Sequence, residues 1–174
     1  MKFIENNLVF DFNSSLSIKF DETNYYREKF QTISDNEISA VDFITIKENQ
    51  GYLIEVKDYQ HPNTEFLNYK KLIPILIKKI LSTLSSIVPM RLMAEDRAEK
   101  EIAQNFSQIN KLIIVCHIEL PSKLSKQQMA FFRRDKLELE LKRKLLPIYH
   151  NLYVVSTKSK VSLPWIVKDK NATS

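Results

Sequence analysis

The chain contains one glycine and one cysteine in 174 residues. A Walker-type phosphate loop, a dinucleotide fingerprint and a kinase-type flap each need several glycines, so that backbone amides can approach a phosphate. Gly51 alone cannot supply them, and those nucleotide-binding classes are excluded. A single cysteine, Cys116, excludes a disulfide framework and any multi-cysteine zinc or iron–sulfur site, as expected of a reducing interior. Long apolar runs are also missing. No segment offers the roughly 18 uninterrupted apolar residues of a membrane span. The opening stretch MKFIENNLVF is too short and too acidic for a signal peptide. The expectation is a soluble, cytoplasmic protein with no membrane partner.

What is present suits one folded domain over residues 1–174: 44% hydrophobic and 27% charged residues, enough for a sizeable core. Charge is unevenly spread. Residues 1–122 carry 14 basic and 17 acidic side chains, whereas residues 123–174 carry 12 and 4. A basic terminal stretch on a mildly acidic body points to a polyanionic partner, nucleic acid first, against the alternative of a solvated helix face.

Apolar periodicity supplies the element order. Residues 8–12 and 16–20 alternate loosely around Asn13-Ser14-Ser15 and predict a hairpin. Residues 21–31 open with Asp21 and Thr23 and place Tyr26, Phe30 and Ile33 at helical spacing. Residues 38–47 and 52–59 are β-rich runs joined by Glu48-Asn49-Gln50-Gly51, with the glycine expected at a positive-φ turn position. Their near-continuous apolar character predicts strands covered on both faces by helices. Residues 64–107 read as helical, divided near Pro89, with Lys70, Lys71, Lys78 and Lys79 assigned to the side opposite the apolar face. A buried strand at 111–119, a basic helix at 126–146 and a last strand at 151–157 complete an α/β sandwich on a mixed sheet.

Chemistry concentrates in the central hairpin, where Asp42 is followed after twelve residues by Glu55-Val56-Lys57. An acid–x–lysine triplet is weak by itself, since roughly two are expected by chance in this composition. Glu140-Leu141-Lys142 is another, on an exposed-looking helix. The triplet Glu55-Val56-Lys57 differs because its pattern predicts burial, and buried charges cost several kcal/mol unless paired or metal-bound. If Lys47 opposes Tyr52, Asp42 faces Lys57, with Glu55 two residues away and all three side chains on one face. Two carboxylates with water and phosphate oxygens are a usual way to hold Mg²⁺. A neighbouring ammonium then serves the developing phosphorane charge.

The stretch AVDFITIKENQGYLIEVKDY resembles the active-site hairpin of the PD-(D/E)XK nuclease superfamily. KFDETNYYREKF, IEVKDY and HIELP look like landmarks of an uncharacterised bacterial subgroup within it. The resemblance implies a restriction-endonuclease-like fold: a three-layer sandwich with a central mixed β-sheet flanked by helices, in α-β-β-β-α-β order, with a core over residues 20–120. It implies Asp42 and Glu55 as ligands of Mg²⁺ or Mn²⁺, a metal-facing Val56 carbonyl, and Lys57 positioning the attacking water. Val41 stands where the name-giving proline would be, and no Gln-x-x-x-Tyr pattern follows to suggest an exonuclease of RecB type. Many relatives carry a further acid on the first helix; Glu28 and Asp21 are the candidates, Glu22 the lesser one, against a surface or capping role. Arg133, Arg134, Lys142, Arg143 and Lys144 are candidate phosphate contacts, which would give affinity without sequence readout. The implied activity is Mg²⁺-dependent hydrolysis of nucleic acid, preferably DNA, with a homodimer compatible with double-strand cleavage. The alternative is an inactive nuclease-fold module that binds nucleic acid or protein.

Overall fold

The computed structural model describes residues 1–13, 15–34, 38–121, 123–125 and 132–170. A five-stranded mixed sheet forms the middle layer: β3 (Leu16–Lys19), β4 (Phe43–Lys47), β5 (Gln50–Asp58), β6 (Lys111–Glu119) and β7 (Asn151–Val155), neighbours in that order. β4 runs antiparallel to both β3 and β5, while β5, β6 and β7 are mutually parallel. A second, three-stranded antiparallel sheet pairs β1 (Lys2–Glu5), β2 (Leu8–Asp11) and β8 (Ile166–Asp169). Among the described residues the α-helices are α1 (Tyr69–Met93), α2 (Arg97–Phe106) and α3 (Arg134–Leu145).

Three layers are present, but their make-up corrects one expectation. Helices cover one face of the middle sheet, where Leu53, Ile114 and Ile118 meet Leu72, Leu76, Ile80, Ile102 and Leu141. The other face is covered by the small sheet, through Phe10, Phe12, Phe43, Ile54, Val115 and Trp165. Strands buried on both faces read as continuous apolar runs whichever element does the burying, so the sequence could not separate a helix from a sheet. The two expected hairpin partners also part company. Residues 8–11 join the small sheet and residues 16–19 the large one, because Leu8, Phe10 and Phe12 are needed in the aromatic layer.

Local chemistry explains other departures. The β4–β5 turn is two residues long, Glu48-Asn49, with φ of 51° and 60°, as a primed hairpin turn requires. Gly51 lies inside β5 without positive φ. Its reason is space: a Cβ there would lie 2.5 Å from Ile109 Cδ1 and 2.8 Å from Phe106 Cε2. The helix expected over residues 21–31 is a 3₁₀ turn (Phe20–Glu22), a π-helical turn (Tyr25–Phe30) and a second 3₁₀ turn (Gln31–Ser34). Tyr26 and Phe30 are buried, as their spacing predicts, whereas Ile33 is exposed.

Pro89 does not divide the long helix. Both Pro74 and Pro89 lie within α1, and the carbonyls they deprive of a donor belong to exposed Lys70 and Ser85, where water can replace the bond. By length and composition α1 is apolar enough to cross a membrane; here it lays Leu72, Leu76, Ile80, Ile87 and Met90 against the sheet layer. The basic helix expected from residue 126 starts at Arg134 among the described residues; Lys126 and Phe131 lie outside them. Phe132 is core, packed on Tyr59 and Phe66.

Candidate functional site

The hairpin register differs from the expectation by two residues. Lys47 opposes Gln50 and Thr45 opposes Tyr52, because the turn holds two residues rather than four. An even shift keeps every side chain on its expected face. Continuing that register one pair beyond Phe43–Ile54 sets Asp42 opposite Glu55, in place of Lys57. Asp42 and Glu55 share the helix-facing side with Ile44 and Leu53.

Three contacts fix the approach of Asp42. Its backbone carbonyl accepts from the Phe20 N–H at 2.8 Å, and the preceding Val41 N–H donates to Thr83 Oγ1 at 3.0 Å. The Val56 N–H then donates to Asp42 Oδ2 at 2.5 Å. A side chain thus takes over from β4 as partner to β5 where the strand ladder ends. Because a strand residue directs its N–H and C=O to one edge, the Val56 carbonyl lies on this same edge. Asp42 Oδ1 is the oxygen that faces the Lys79 ammonium.

Two ammonium groups meet these acids. Lys57 Nζ lies 2.8 Å from Glu55 Oε1. Lys79, on α1, lies 2.7 Å from Glu55 Oε1, donates to Glu55 Oε2 at 2.8 Å, and stands 3.6 Å from Asp42 Oδ1. Side-chain exposure is 2% for Glu55, 8% for Asp42, 17% for Lys79 and 23% for Lys57, so the acids form the floor and the lysines the mouth. Burial, then the neighbouring Glu55 charge, pushes the Asp42 carboxyl well above its ordinary range. Burial works against the Lys79 ammonium, but Glu55 and Asp42 outweigh it and hold that group above its usual pKa.

Lys79 departs from the expectation that placed it with the other lysines of its helix. The available signal is phase: Leu72, Leu76, Lys79, Thr83, Ser86 and Met90 recur at three- and four-residue steps, and a lysine in that buried stripe needs a partner. Lys70, Lys71 and Lys78 do lie exposed.

The remaining candidates divide. Asp21 belongs to the neighbourhood: its carboxyl is raised to about 6 by burial and by Glu5, it feels the Lys79 charge, and its buried Oδ1 has no hydrogen-bond partner. Glu28 is exposed; Glu22 is also exposed and pairs with Lys19 at 2.8 Å. Arg134 is a structural anchor rather than a free phosphate contact: it donates to the Ile118 carbonyl at 2.7 Å and Ser156 Oγ at 2.9 Å. Arg133 pairs with Asp135, Lys142 with Glu138 and Arg143 with Glu140, so much of the basic helix is neutralised in place. Lys144 is exposed, beside a cleft with Tyr69, Lys70 and Glu140. His117 and Glu119, two residues apart on β6, share a face and are bonded at 2.9 Å, but on the small-sheet side, away from Glu55.

Among the described residues, no group of three or more His, Cys, Asp and Glu side chains gathers as a metal site. The donor set still fits a hard cation: two carboxylates on one side, one Asp42 oxygen uncommitted to the backbone, and the Val56 carbonyl edge. Magnesium ordinarily takes one or two carboxylates and completes its shell with water and phosphate oxygens.

No protein-family model matches the chain, and no solved structure matches it. Among curated proteins it is 32% identical over 150 residues to a cysteine–tRNA ligase of Neisseria meningitidis serogroup A. That likeness covers 76% of this chain and 22% of the ligase, so the chain spans about a fifth of that relative's length. What the fold and site together define is an α/β protein with a mixed five-stranded sheet and a buried carboxylate–ammonium cluster at the end of its central hairpin.

Proposed function

We propose that this chain is a Mg²⁺-dependent nuclease of PD-(D/E)XK type, hydrolysing phosphodiester bonds of nucleic acid, with DNA as the preferred substrate. One observation carries the reading: Asp42, Glu55 and Lys57 converge on one side of the sheet where the β4–β5 ladder ends. Asp42, Glu55 and the Val56 carbonyl would hold the ion; when bound, it would polarise the phosphate and neutralise developing charge. The chain's own groups do the positioning. The Val56 N–H fixes the Asp42 carboxylate, leaving Oδ1 for the cation. Lys57 stands at the mouth against Glu55, where an ammonium can orient the attacking water and stabilise charge on phosphorus.

The test is cleavage of plasmid, branched DNA and tRNA in MgCl₂ or MnCl₂. Asp42→Asn and Glu55→Gln should each lower the rate by at least about a hundredfold, with circular dichroism unchanged. Equal rates in folded variants would remove these residues from the reaction.

A second reading is favoured by Lys79, which already satisfies both acids and makes the quartet with Lys57 charge-balanced. Under it, the site is a structural ion cluster and the chain binds nucleic acid without cutting it. The ligase likeness makes tRNA the ligand to try. Salt-dependent tRNA binding, with no divalent requirement and no cleavage, is the outcome that selects this alternative.

A further inference from the structure

Lys79 reaches both oxygens of Glu55 and stands 3.6 Å from Asp42 Oδ1, so its ammonium occupies the space between the two acids where a divalent ion would have to sit. Its backbone is not free to leave. Thr83 Oγ1 donates to the Lys79 carbonyl at 2.8 Å and accepts from the Val41 N–H at 3.0 Å, which ties this turn of α1 to the approach of Asp42. Only the side chain can move. A second acceptor lies within its electrostatic range: Asp21, whose buried Oδ1 has no hydrogen-bond partner. Glu5, the other acid acting on Asp21 and Asp42, is engaged by Lys19 at 2.9 Å.

We propose that Lys79 is a tethered cation which fills the Asp42–Glu55 site when no metal is bound, and which a divalent ion displaces toward Asp21. The inference rests on the hydrolytic reading for the presence of the ion, and it adds an exchange of one bound cation for another. Two buried carboxylates stripped of their ammonium would repel each other, and the incoming ion removes that repulsion. The displaced ammonium gives the orphaned Asp21 oxygen its partner. The metal site is therefore self-occluding, with Lys79 a positioning residue rather than a ligand.

Calorimetric titration of the full chain with MgCl₂ and MnCl₂ tests this in four proteins: wild type, Lys79→Met, Asp21→Asn and the double variant. Removing the competitor should tighten binding about tenfold or more. Asp21→Asn should weaken binding roughly threefold in the wild-type background and have no effect once Lys79 is gone. Unchanged or weaker binding by Lys79→Met overturns the competition. A loss on Asp21→Asn that persists in the Lys79→Met background overturns the displacement and makes Asp21 a direct ligand. If Lys79→Met does not fold, wild type decides alone: in ¹³C-lysine-labelled protein the Lys79 Cε resonance should move with Mg²⁺ at the calorimetric midpoint, and a stationary resonance overturns the proposal. Failure of the nuclease reading looks different, with the ion binding and Lys79 responding while no nucleic acid is cut. A wild type that binds no divalent ion sinks both.

Discussion

Asp21 shows how a residue adjoining the site makes stability depend on pH. Its carboxyl titrates near 6 in the folded chain instead of at the ordinary 3.8, first because of burial and then because of Glu5. A raised carboxyl pKa means that the folded state binds more protons than the unfolded state between those values. Its contribution to stability is therefore complete below pH 3.8 and is lost as pH rises through 6. Asp21→Asn should remove this slope, leaving the variant more stable than wild type above pH 6 by up to about 3 kcal/mol. Urea titrations of both proteins at about pH 4 and about pH 7 check the sign; a variant less stable at both values would show that the charged form is favoured. At this scale the sequence was legible where burial made charge expensive, as at Asp42, Glu55 and Lys57. It was less so at Lys79, which looks like one more surface lysine until its phase against Leu72 and Leu76 is counted.

Between elements, the β4–β5 turn is the most informative join. Glu48 and Asn49 both adopt positive φ, which disfavours a glutamate more than an asparagine. An Asn-Gly turn at these two positions, made by combining Glu48→Asn with Asn49→Gly, should raise stability by about 1 kcal/mol and leave the register unchanged. Thermal melts check it, and a lower melting temperature would mean that the turn gains something specific from Glu48. Gly51 behaves oppositely. Gly51→Ala drives a methyl toward Ile109 and Phe106 and should cost about 1–3 kcal/mol by overpacking. The sequence shows that a hairpin joins these strands, because the flanking β-rich runs are strong. It does not show which of four consecutive residues make the turn, since a lone glycine advertises positive φ even where crowding is the reason for it. α1 reads as two helices for a related reason: proline signals a break, yet at Pro74 and Pro89 the bereft carbonyls belong to exposed residues.

At the scale of the molecule, two cores share one sheet, and the single tryptophan belongs to the smaller of them. Trp165 packs on Phe12 and, edge-on, on Tyr52, closing the layer between the sheets. Far-UV circular dichroism follows mainly the helices of the opposite layer, so the two signals report different cores. With β5 and β6 buried on both faces, fluorescence and dichroism should unfold in one coincident transition. Trp165→Ala should lower the stability of the whole chain by about 3–5 kcal/mol. An early fluorescence transition would show that the small sheet melts alone. The layer identity itself was not legible, because β1, β2 and β8 come from opposite ends of the chain and no local periodicity announces their pairing. Charge asymmetry was legible as composition, but its local pairing was not: Asp135, Glu138 and Glu140 stand against Arg133, Lys142 and Arg143 on the helix that carries them.

The hydroxyl of Thr83 gives the candidate site its ruler. One oxygen receives the Val41 amide and gives its proton to the Lys79 carbonyl, so the spacing between the strand-borne acids and the helix-borne amine follows from the valence of a single atom. Sliding α1 along the sheet would have to rupture the Val41 link, while the bond to the Lys79 carbonyl travels with the helix, so this turn is an arm pinned beside the strand from which the lysine's methylene chain can swing.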